Sequence, residues 1–438
     1  MAVWYFYSAF YAGQIRYGFN QLSRLGLPVA AGLIFVITGL SIIVRGRDTS
    51  DSNASEPIPV RKLLFPAFLS SVVLMSVFWF LRNGFINADG LFNMQSLISG
   101  VSILHHDEML TSLFITRIWE SGVFGLLPES SFSVFSVVWG GLFVVVMVIL
   151  GGRLTGTRWP LFLTLCFSSG FVQLYFGDVE FYAMVATLSA LYLLLVLEYL
   201  RGRISLILPA MVLGIAICSH LLAGWLLPSY LYLLIRGVRK KEYAQVSASV
   251  LLSILVVVFV FIIVTDAGLS IRSLSRSHAM GSADKGTLEM LAVPSLSYYA
   301  SVSNLLFLLF PFWLMIPLMF VYRRFHYTPY DVVVGISLVM LLLLAFVWHL
   351  GLGPYFDWNL VATVGVPASI LVWGNLLRGS WRRGMKTAIW TLLLVGALHS
   401  WTWIASNSLE TSFLPRENMG PLLQSRTGSN LMIPEEYR

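Results

Sequence analysis

VSASVLLSILVVVFVFIIVT, residues 246–265, is a continuous apolar run without an ionisable side chain. A helix needs about 20 mostly apolar residues to cross the roughly 30 Å of hydrocarbon in a bilayer. A core helix of a soluble domain rarely stays apolar on every face over this length. The run therefore predicts a transmembrane helix.

Runs of the same character recur along the whole chain. They lie at 28–44, 63–81, 132–152, 159–176, 181–200, 204–219, 221–235, 298–321, 330–348, 360–377 and 385–405. The composition agrees, with 57% hydrophobic and 11% charged residues and a mean hydropathy of +0.80. The sequence thus predicts an all-α polytopic integral membrane protein with about 12 transmembrane helices. The two short runs that flank Ser219 and His220 also fit a re-entrant or broken helix.

The basic residues predict the orientation of these helices. Of the 28 Lys and Arg residues, 18 lie in the connections 45–62, 153–158, 201–203, 236–241, 323–324 and 378–386. Connections rich in Lys and Arg remain in the cytoplasm. The net charge of +7 therefore reflects topology, and we expect no nucleic-acid partner.

Ionisable residues are nearly absent from the middles of the apolar runs and collect in the connections on the other, extracytoplasmic side. A transporter would be expected to hold carboxylates near the bilayer midplane, whereas an enzyme acting on a lipid-linked substrate gathers them at one membrane face. The distribution favours an enzyme. The alternatives are an O-antigen-type polymerase or ligase, a lipid-linked sugar flippase or other transporter, and a non-catalytic scaffold.

The early outer loop 82–131 has a helical pattern of its own. Apolar residues recur at helical spacing from Leu91 to Val101 and again from Met109 to Ile118. This pattern predicts two amphipathic helices that lie along the membrane interface. Asp89 then stands between the end of a transmembrane helix and the first interfacial helix.

Four short motifs follow one another on this predicted outer face: NADG at 87–90, DEML at 107–110, YFGDVEFYAM at 175–184 and PYFDWNL at 354–360. Their content and order resemble the GT-C superfamily of membrane glycosyltransferases, of bacterial or archaeal type. The resemblance implies a polyprenyl-phosphate-linked sugar donor and a catalytic acidic residue in the first outer loop. Asn359 stands where the family pattern has a second Asp.

The resemblance extends along residues 63–405, which we expect to form a GT-C-like transmembrane catalytic domain. Residues 1–62 then form an N-terminal segment with one extra transmembrane helix and a cytoplasmic linker, and 406–438 form an extracytoplasmic tail. The expected function is transfer of a hexose or pentose, with inversion, to a glycan, lipid or protein acceptor. We expect a multi-pass protein of the cell membrane with its active site on the extracytoplasmic face.

Three acidic residues are the catalytic candidates. Asp89 is the expected general base, because transfer to a hydroxyl needs a base within hydrogen-bond reach and because of the resemblance. The alternative is that Asp89 only caps the interfacial helix. Glu108 and Glu180 are the next candidates for the base.

Six residues are candidates for substrate binding: His106, Asp178, Arg272, Arg276, His349 and Asp357. Arginine binds phosphate bidentately, so Arg272 and Arg276 are expected to hold the donor phosphate, in a loop that in the family closes over the donor; contact with lipid headgroups is the alternative. A solvated turn is the alternative for Asp178 and Glu180.

The segment His105-His106-Asp107-Glu108 combines residue types that bind metals. Adjacent residues on a helix point in different directions, so the four side chains cannot face one ion. We therefore expect no metal site and no cofactor besides the lipid-phosphate donor, although divalent metals remain compatible with the residue types. His220, His349 and His399 are single histidines near helix ends, and we interpret His220 and His399 as structural.

Overall fold

The computed structural model describes residues 56–83, 90, 93–94, 96–97, 103–104, 107–122, 128–266, 296–321, 327–347, 358–378 and 383–408. This part of the chain is helical and contains no strand. Its α-helices are α1 Val60–Phe80, α2 Met109–Ser121, α3 Pro128–Thr155, α4 Trp159–Phe167, α5 Tyr182–Leu200, α6 Ile207–Ser219, α7 Leu227–Arg239, α8 Tyr243–Asp266, α9 Leu296–Leu309, α10 Met315–Val321, α11 Pro329–Val347, α12 Trp358–Ala362, α13 Gly365–Arg378 and α14 Arg383–Ser408.

Eight helical stretches in the described residues are long and apolar enough to cross a membrane, and two shorter apolar helices accompany them. The predicted all-α polytopic membrane fold is confirmed. The apolar run at 28–44 lies outside the described residues, as does most of the first interfacial helix. The predicted second interfacial helix corresponds to α2, whose 13 residues are too few to span a bilayer.

The helices sort into a buried centre and an outer ring. In the stretch that contains α12 and α13, 94% of the 18 most apolar consecutive residues are buried. In α8 the corresponding share is 17%. The outer helices instead present large apolar side chains to the surroundings, including Phe65 and Phe68 on α1 and Phe259 on α8. Such a surface is stable against lipid tails, so α1 and α8 are lipid-facing helices.

The predicted span 159–176 is divided. Helix α4 ends at Phe167 and a 3₁₀ helix covers Gly170–Tyr175. The carbonyl groups freed by this break accept hydrogen bonds from side chains of α14: Trp401 Nε1 donates to Phe167 O at 3.1 Å and Ser400 Oγ donates to Ser168 O at 2.9 Å. Side-chain donors replace the missing intrahelical bonds, which is how a membrane helix tolerates a break.

Two other apolar runs are also broken. The run 298–321 divides into α9 and α10 next to Pro311, which has no N–H group and disfavours a helical residue before it. The short runs around His220 belong to a broken helix, because His220 has an extended backbone with φ −163° and ψ 131° between α6 and a 3₁₀ helix at Leu221–Leu226. The broken-helix alternative for this pair is therefore correct.

A network of ion pairs holds one end of the bundle, which we call the basic end. Arg153 on α3 donates two hydrogen bonds to the Glu198 carboxylate on α5, at 2.7 and 3.0 Å, and a third to the carbonyl of Ile58 at 3.2 Å. Arg201 and Arg203 approach the same carboxylate at 3.6 and 3.1 Å. The Arg378–Asp331 pair, at 2.7 Å, joins α13 to α11 nearby. The helix ends that border the predicted cytoplasmic connections therefore meet in space.

Candidate functional site

The opposite end of the bundle is organised around the connection 176–181, which we call the acidic connection. The backbone N–H of Asn83, just after α1, donates to Phe176 O at 2.6 Å. Ser133 on α3 donates to Gly177 O at 3.1 Å. Gly177 has φ +71°, and a Cβ atom at this position would lie only 2.9 Å from the Cβ of Arg82. A glycine is required here by both conformation and space, and the connection is held from two helices.

Asp178 and Glu180 are buried in this connection, each 4% exposed. Their burial contradicts the solvated-turn alternative. Carboxylates are seldom buried to this degree unless they are paired or protonated. Two such groups lie two residues apart just before α5 begins.

The aromatic residues around the two acids belong mainly to the core. Tyr175 stacks on Phe143 with ring centroids 4.8 Å apart, and Phe176 meets Phe78 edge-on at 4.9 Å. Phe181 is likewise buried. Tyr175, Phe176 and Phe181 are therefore core residues and are not available to stack on a sugar. Tyr182, which is only partly buried, is the ring that remains accessible.

The Asp178 carboxyl titrates at an unusual pH. Burial raises the pKa of Asp178 to about 7, and interactions with the Asn359 side chain and the backbone of Val179 partly offset that rise. Its Oδ2 atom is buried and has no hydrogen-bond partner among the described residues. Near neutral pH this group can therefore hold or release a proton, which is what general acid–base chemistry needs.

We expect the stability of the purified protein to depend on pH through Asp178. Its pKa is raised in the folded state from the ordinary value of 3.8 to about 7, so between these values the folded protein retains a proton that the unfolded chain has lost. Stability should fall by about 1.4 kcal/mol per pH unit across this window and change no further above it. Thermal unfolding in detergent from pH 4 to pH 8 measures this, and Asp178→Asn should remove that component of the slope. An unchanged slope in the variant would show that Asp178 is ionised throughout.

Gly90 connects the early outer loop to the acidic connection. A Cβ atom at Gly90 would overlap the backbone carbonyl oxygen of Val179 and lie 3.2 Å from its Cγ1 atom. Only glycine allows this approach. The backbone at Gly90 thus packs against Val179, the residue between Asp178 and Glu180. Asp89, which precedes Gly90, lies outside the described residues.

Glu108 lies beside a histidine at the same end of the bundle. Oε1 of Glu108 is 3.3 Å from Nε2 of His220, and both side chains are largely buried. Nδ1 of His220 accepts a hydrogen bond from the Leu222 N–H at 3.1 Å. A neutral imidazole with an accepting Nδ1 carries its proton on Nε2. This is the nitrogen that lies near Glu108, although Nε2 has no hydrogen-bond partner among the described residues. The ring of Tyr182 packs on His220 at 4.8 Å and links this pair to the acidic connection.

The position of His220 was not predicted by sequence reasoning, which interpreted it as a structural residue. The one sequence feature that pointed to His220 was its place between two short apolar runs. The backbone explains the pairing, because Leu221 N–H donates to Asp107 O at 2.8 Å and Thr111 Oγ1 donates to Ser219 O at 2.9 Å. The start of α2 is therefore docked on the broken helix. His399, by contrast, is bonded to the backbone at Phe307 and Leu308, and its structural interpretation is correct.

The remaining candidates have different outcomes. Asp178, Glu180 and Glu108 lie at the same end of the bundle, and Asn359, the residue that departs from the family pattern, lies beside Asp178. Arg82, also missed by sequence reasoning, lies at the end of α1 with its guanidinium 5.0 Å from the Trp79 ring centroid. Six candidates lie outside the described residues and remain predictions: Asp89, His106, Arg272, Arg276, His349 and Asp357.

Metal binding also remains a prediction. Within the described ranges, no three His, Cys, Asp or Glu side chains are grouped as a metal site would require. Asp107 and Glu108 precede α2 rather than lying within a helix, so the helical spacing assumed for the HHDE segment does not apply to them. His105 and His106 lie outside the described residues.

Comparison with known proteins gives one kind of match. No protein-family model and no curated protein matches the sequence. The chain is similar in structure to ArnT from Cupriavidus metallidurans bound to undecaprenyl phosphate, with a TM-score of 0.54, 14% identity, and coverage of 79% of this chain and 77% of that chain. The apo structure of ArnT gives a TM-score of 0.51 at 13% identity with the same coverage. This likeness shows the fold, which is GT-C-like.

Proposed function

We propose, from the GT-C-like fold, that this chain is a membrane glycosyltransferase that uses a polyprenyl-phosphate-linked sugar donor. The observation that carries the proposal is the cluster of buried Asp178 and Glu180 with the Glu108–His220 pair at one end of the bundle. A similar fold has been crystallised with undecaprenyl phosphate. A chain with this fold and with acid–base groups at a membrane boundary has the parts that sugar transfer from a lipid carrier needs.

The reaction would join an acceptor oxygen to the anomeric carbon of the sugar. The bond from that carbon to the phosphate oxygen breaks, and the phosphate leaves on its polyprenyl chain. A carboxylate takes the proton of the acceptor hydroxyl, typically contributing 10²–10⁴-fold to the rate. Attack from the face opposite the leaving phosphate inverts the anomeric centre. The sugar, a hexose or a pentose, would reach a glycan, lipid or protein acceptor on the extracytoplasmic side.

We assign the base to Asp89 and reserve roles in substrate orientation for the buried groups. Gly90, the residue that follows Asp89 in sequence, packs against the acidic connection, which supports this assignment. Oδ2 of Asp178 has no hydrogen-bond partner among the described residues, and buried polar atoms are rarely left unsatisfied. A sugar hydroxyl is a suitable donor. Arg272 and Arg276 would hold the donor phosphate, because cations near the leaving group stabilise its charge.

Binding of the lipid carrier tests this function before the sugar is known. Purified full-length protein should bind undecaprenyl phosphate, and native mass spectrometry should show the bound lipid at equimolar addition. Undecaprenol, which has the same chain without the phosphate, should be retained much more weakly, because charge-assisted contacts to the phosphate are lost. Equal retention of both lipids would mean that the protein recognises only the hydrocarbon, and the proposal would then fail.

A further inference from the structure

A polar cleft of about 580 Å³ opens at the basic end, at the opposite end of α5 from the acidic connection. It lies between the turn that joins α5 to α6 and the turn that joins α7 to α8. Its polar lining consists of Arg201, Arg203, Ser205, Lys240, Glu242 and Gln245. Nothing in the proposed sugar transfer uses this cleft.

The cleft carries an excess of positive charge. The Glu198 carboxylate is bound bidentately by Arg153 at 2.7 and 3.0 Å. The same carboxylate also forms ion pairs with Arg201 and Arg203. Among the described residues, one carboxylate shared by three guanidinium groups leaves two positive charges uncompensated, while Lys240 is balanced by Glu242 at 3.9 Å. The pKa of Arg201 is lowered, first by burial and then by the charge of Arg153. An added anion would relieve this crowding.

Two residues that line the cleft carry hydrogen-bond donors. Arg203 lines the cleft, and its side chain is 47% exposed and uses Nη1 for its contact with Glu198 at 3.1 Å, which leaves the donors Nε and Nη2. Ser205 Oγ accepts from Gln245 Nε2 at 3.0 Å and from the Ile207 N–H at 3.2 Å. Its own hydroxyl hydrogen is therefore left to donate. A guanidinium fork with a neighbouring hydroxyl is a suitable donor set for phosphate.

We propose that this cleft binds the phosphate group of an anionic membrane lipid. The level of the cleft favours a lipid over a soluble phosphate compound, because α5 ends at Leu200 and α8 begins at Tyr243, and lipid headgroups lie where spanning helices end. Basic pockets between transmembrane helices are known to hold such headgroups. The lipid chains would lie along the exposed apolar face of α8, which borders the cleft.

The test measures how much phosphatidylglycerol stabilises the full-length protein in a neutral detergent, with phosphatidylcholine as the comparison lipid. A ligand that binds the folded state raises the unfolding temperature according to its affinity. Arg203→Gln should weaken the apparent affinity for phosphatidylglycerol by about tenfold or more, as expected for a lost charge-assisted bond. Lys240→Gln is a second variant at the other side of the cleft and should act in the same direction.

Arg239→Gln is the matched control, since Arg239 lies at the same end on the last turn of α7 but does not line the cleft. It should leave the affinity unchanged. Equal losses in Arg203→Gln and Arg239→Gln would reduce the effect to general surface charge and overturn the proposal. Inorganic phosphate provides the other arm: stabilisation by phosphate at the concentration that suffices for the lipid, lost again in Arg203→Gln, would make a soluble phosphate compound the ligand and overturn the lipid assignment.

Discussion

Replacing Asp89 with Asn is expected to lower the rate of sugar transfer by on the order of 10²-fold or more, with donor binding retained. Asparagine has the same size and can still cap a helix, so the substitution removes the base and keeps the cap. Loss of a general base costs 10²–10⁴-fold, whereas loss of a cap charge costs little rate. Single-turnover transfer by the purified variant, with undecaprenyl phosphate binding measured in parallel, separates the two roles.

Glu120→Gln is the control for this experiment. Glu120 is an exposed carboxylate paired with Arg117 at 2.7 Å, and its loss should leave the rate unchanged. If Asp89→Asn transfers sugar at nearly the wild-type rate, the base is another residue. Glu108 and Glu180 would be the next to replace.

Removing the Glu198 carboxylate should give the largest loss of stability among single substitutions at the basic end. Glu198→Ala would leave the guanidinium of Arg153, whose side chain is 4% exposed, buried without its bidentate partner. Breaking a buried pair in this way costs about 3–5 kcal/mol. The loss should be visible as a marked fall in the unfolding temperature of the purified protein.

The exposed pair Arg117–Glu120 supplies a matched comparison for this substitution. Its side chains are 62% and 50% exposed, and exposed pairs contribute about 0–1 kcal/mol. Glu120→Ala should therefore leave the unfolding temperature nearly unchanged. Similar shifts in the two variants would mean that water reaches the Glu198 network and that this network does not hold the helix ends together.

Much of the fold was predictable because long apolar runs identify transmembrane helices. The helix at 246–265 needed no other information, and the grouping of basic connections at one end followed from charge alone. The breaks at Ser168 and near Pro311 were harder to predict. At Ser168 the helix ends because side chains of α14, more than 230 residues away in sequence, satisfy the freed carbonyl groups, and no local pattern contains that information.

The site was predictable as a set of residue types and less so as an arrangement. The acids Asp178 and Glu180 could be found from the motif that surrounds them, but their burial depends on the packing of neighbouring helices. The pairing of Glu108 with His220 joins residues more than 100 positions apart and rests on backbone contacts that a sequence does not display. The motifs identified candidate site residues, whereas tertiary contacts determined which of their side chains lie close together.

The separation of charge between the two ends gives the molecule an electric dipole along the bundle axis. In the described residues, the basic end carries more cations than carboxylates, and the opposite end carries the reverse. A membrane voltage acts on each such charge with about 2.3 kcal/mol per 100 mV for a full crossing. An energised membrane therefore favours the orientation with the basic end on its electrically negative side. The same voltage would draw a proton released at Asp178 toward the negative side of the membrane. It would draw an anion that leaves the acidic connection toward the positive side.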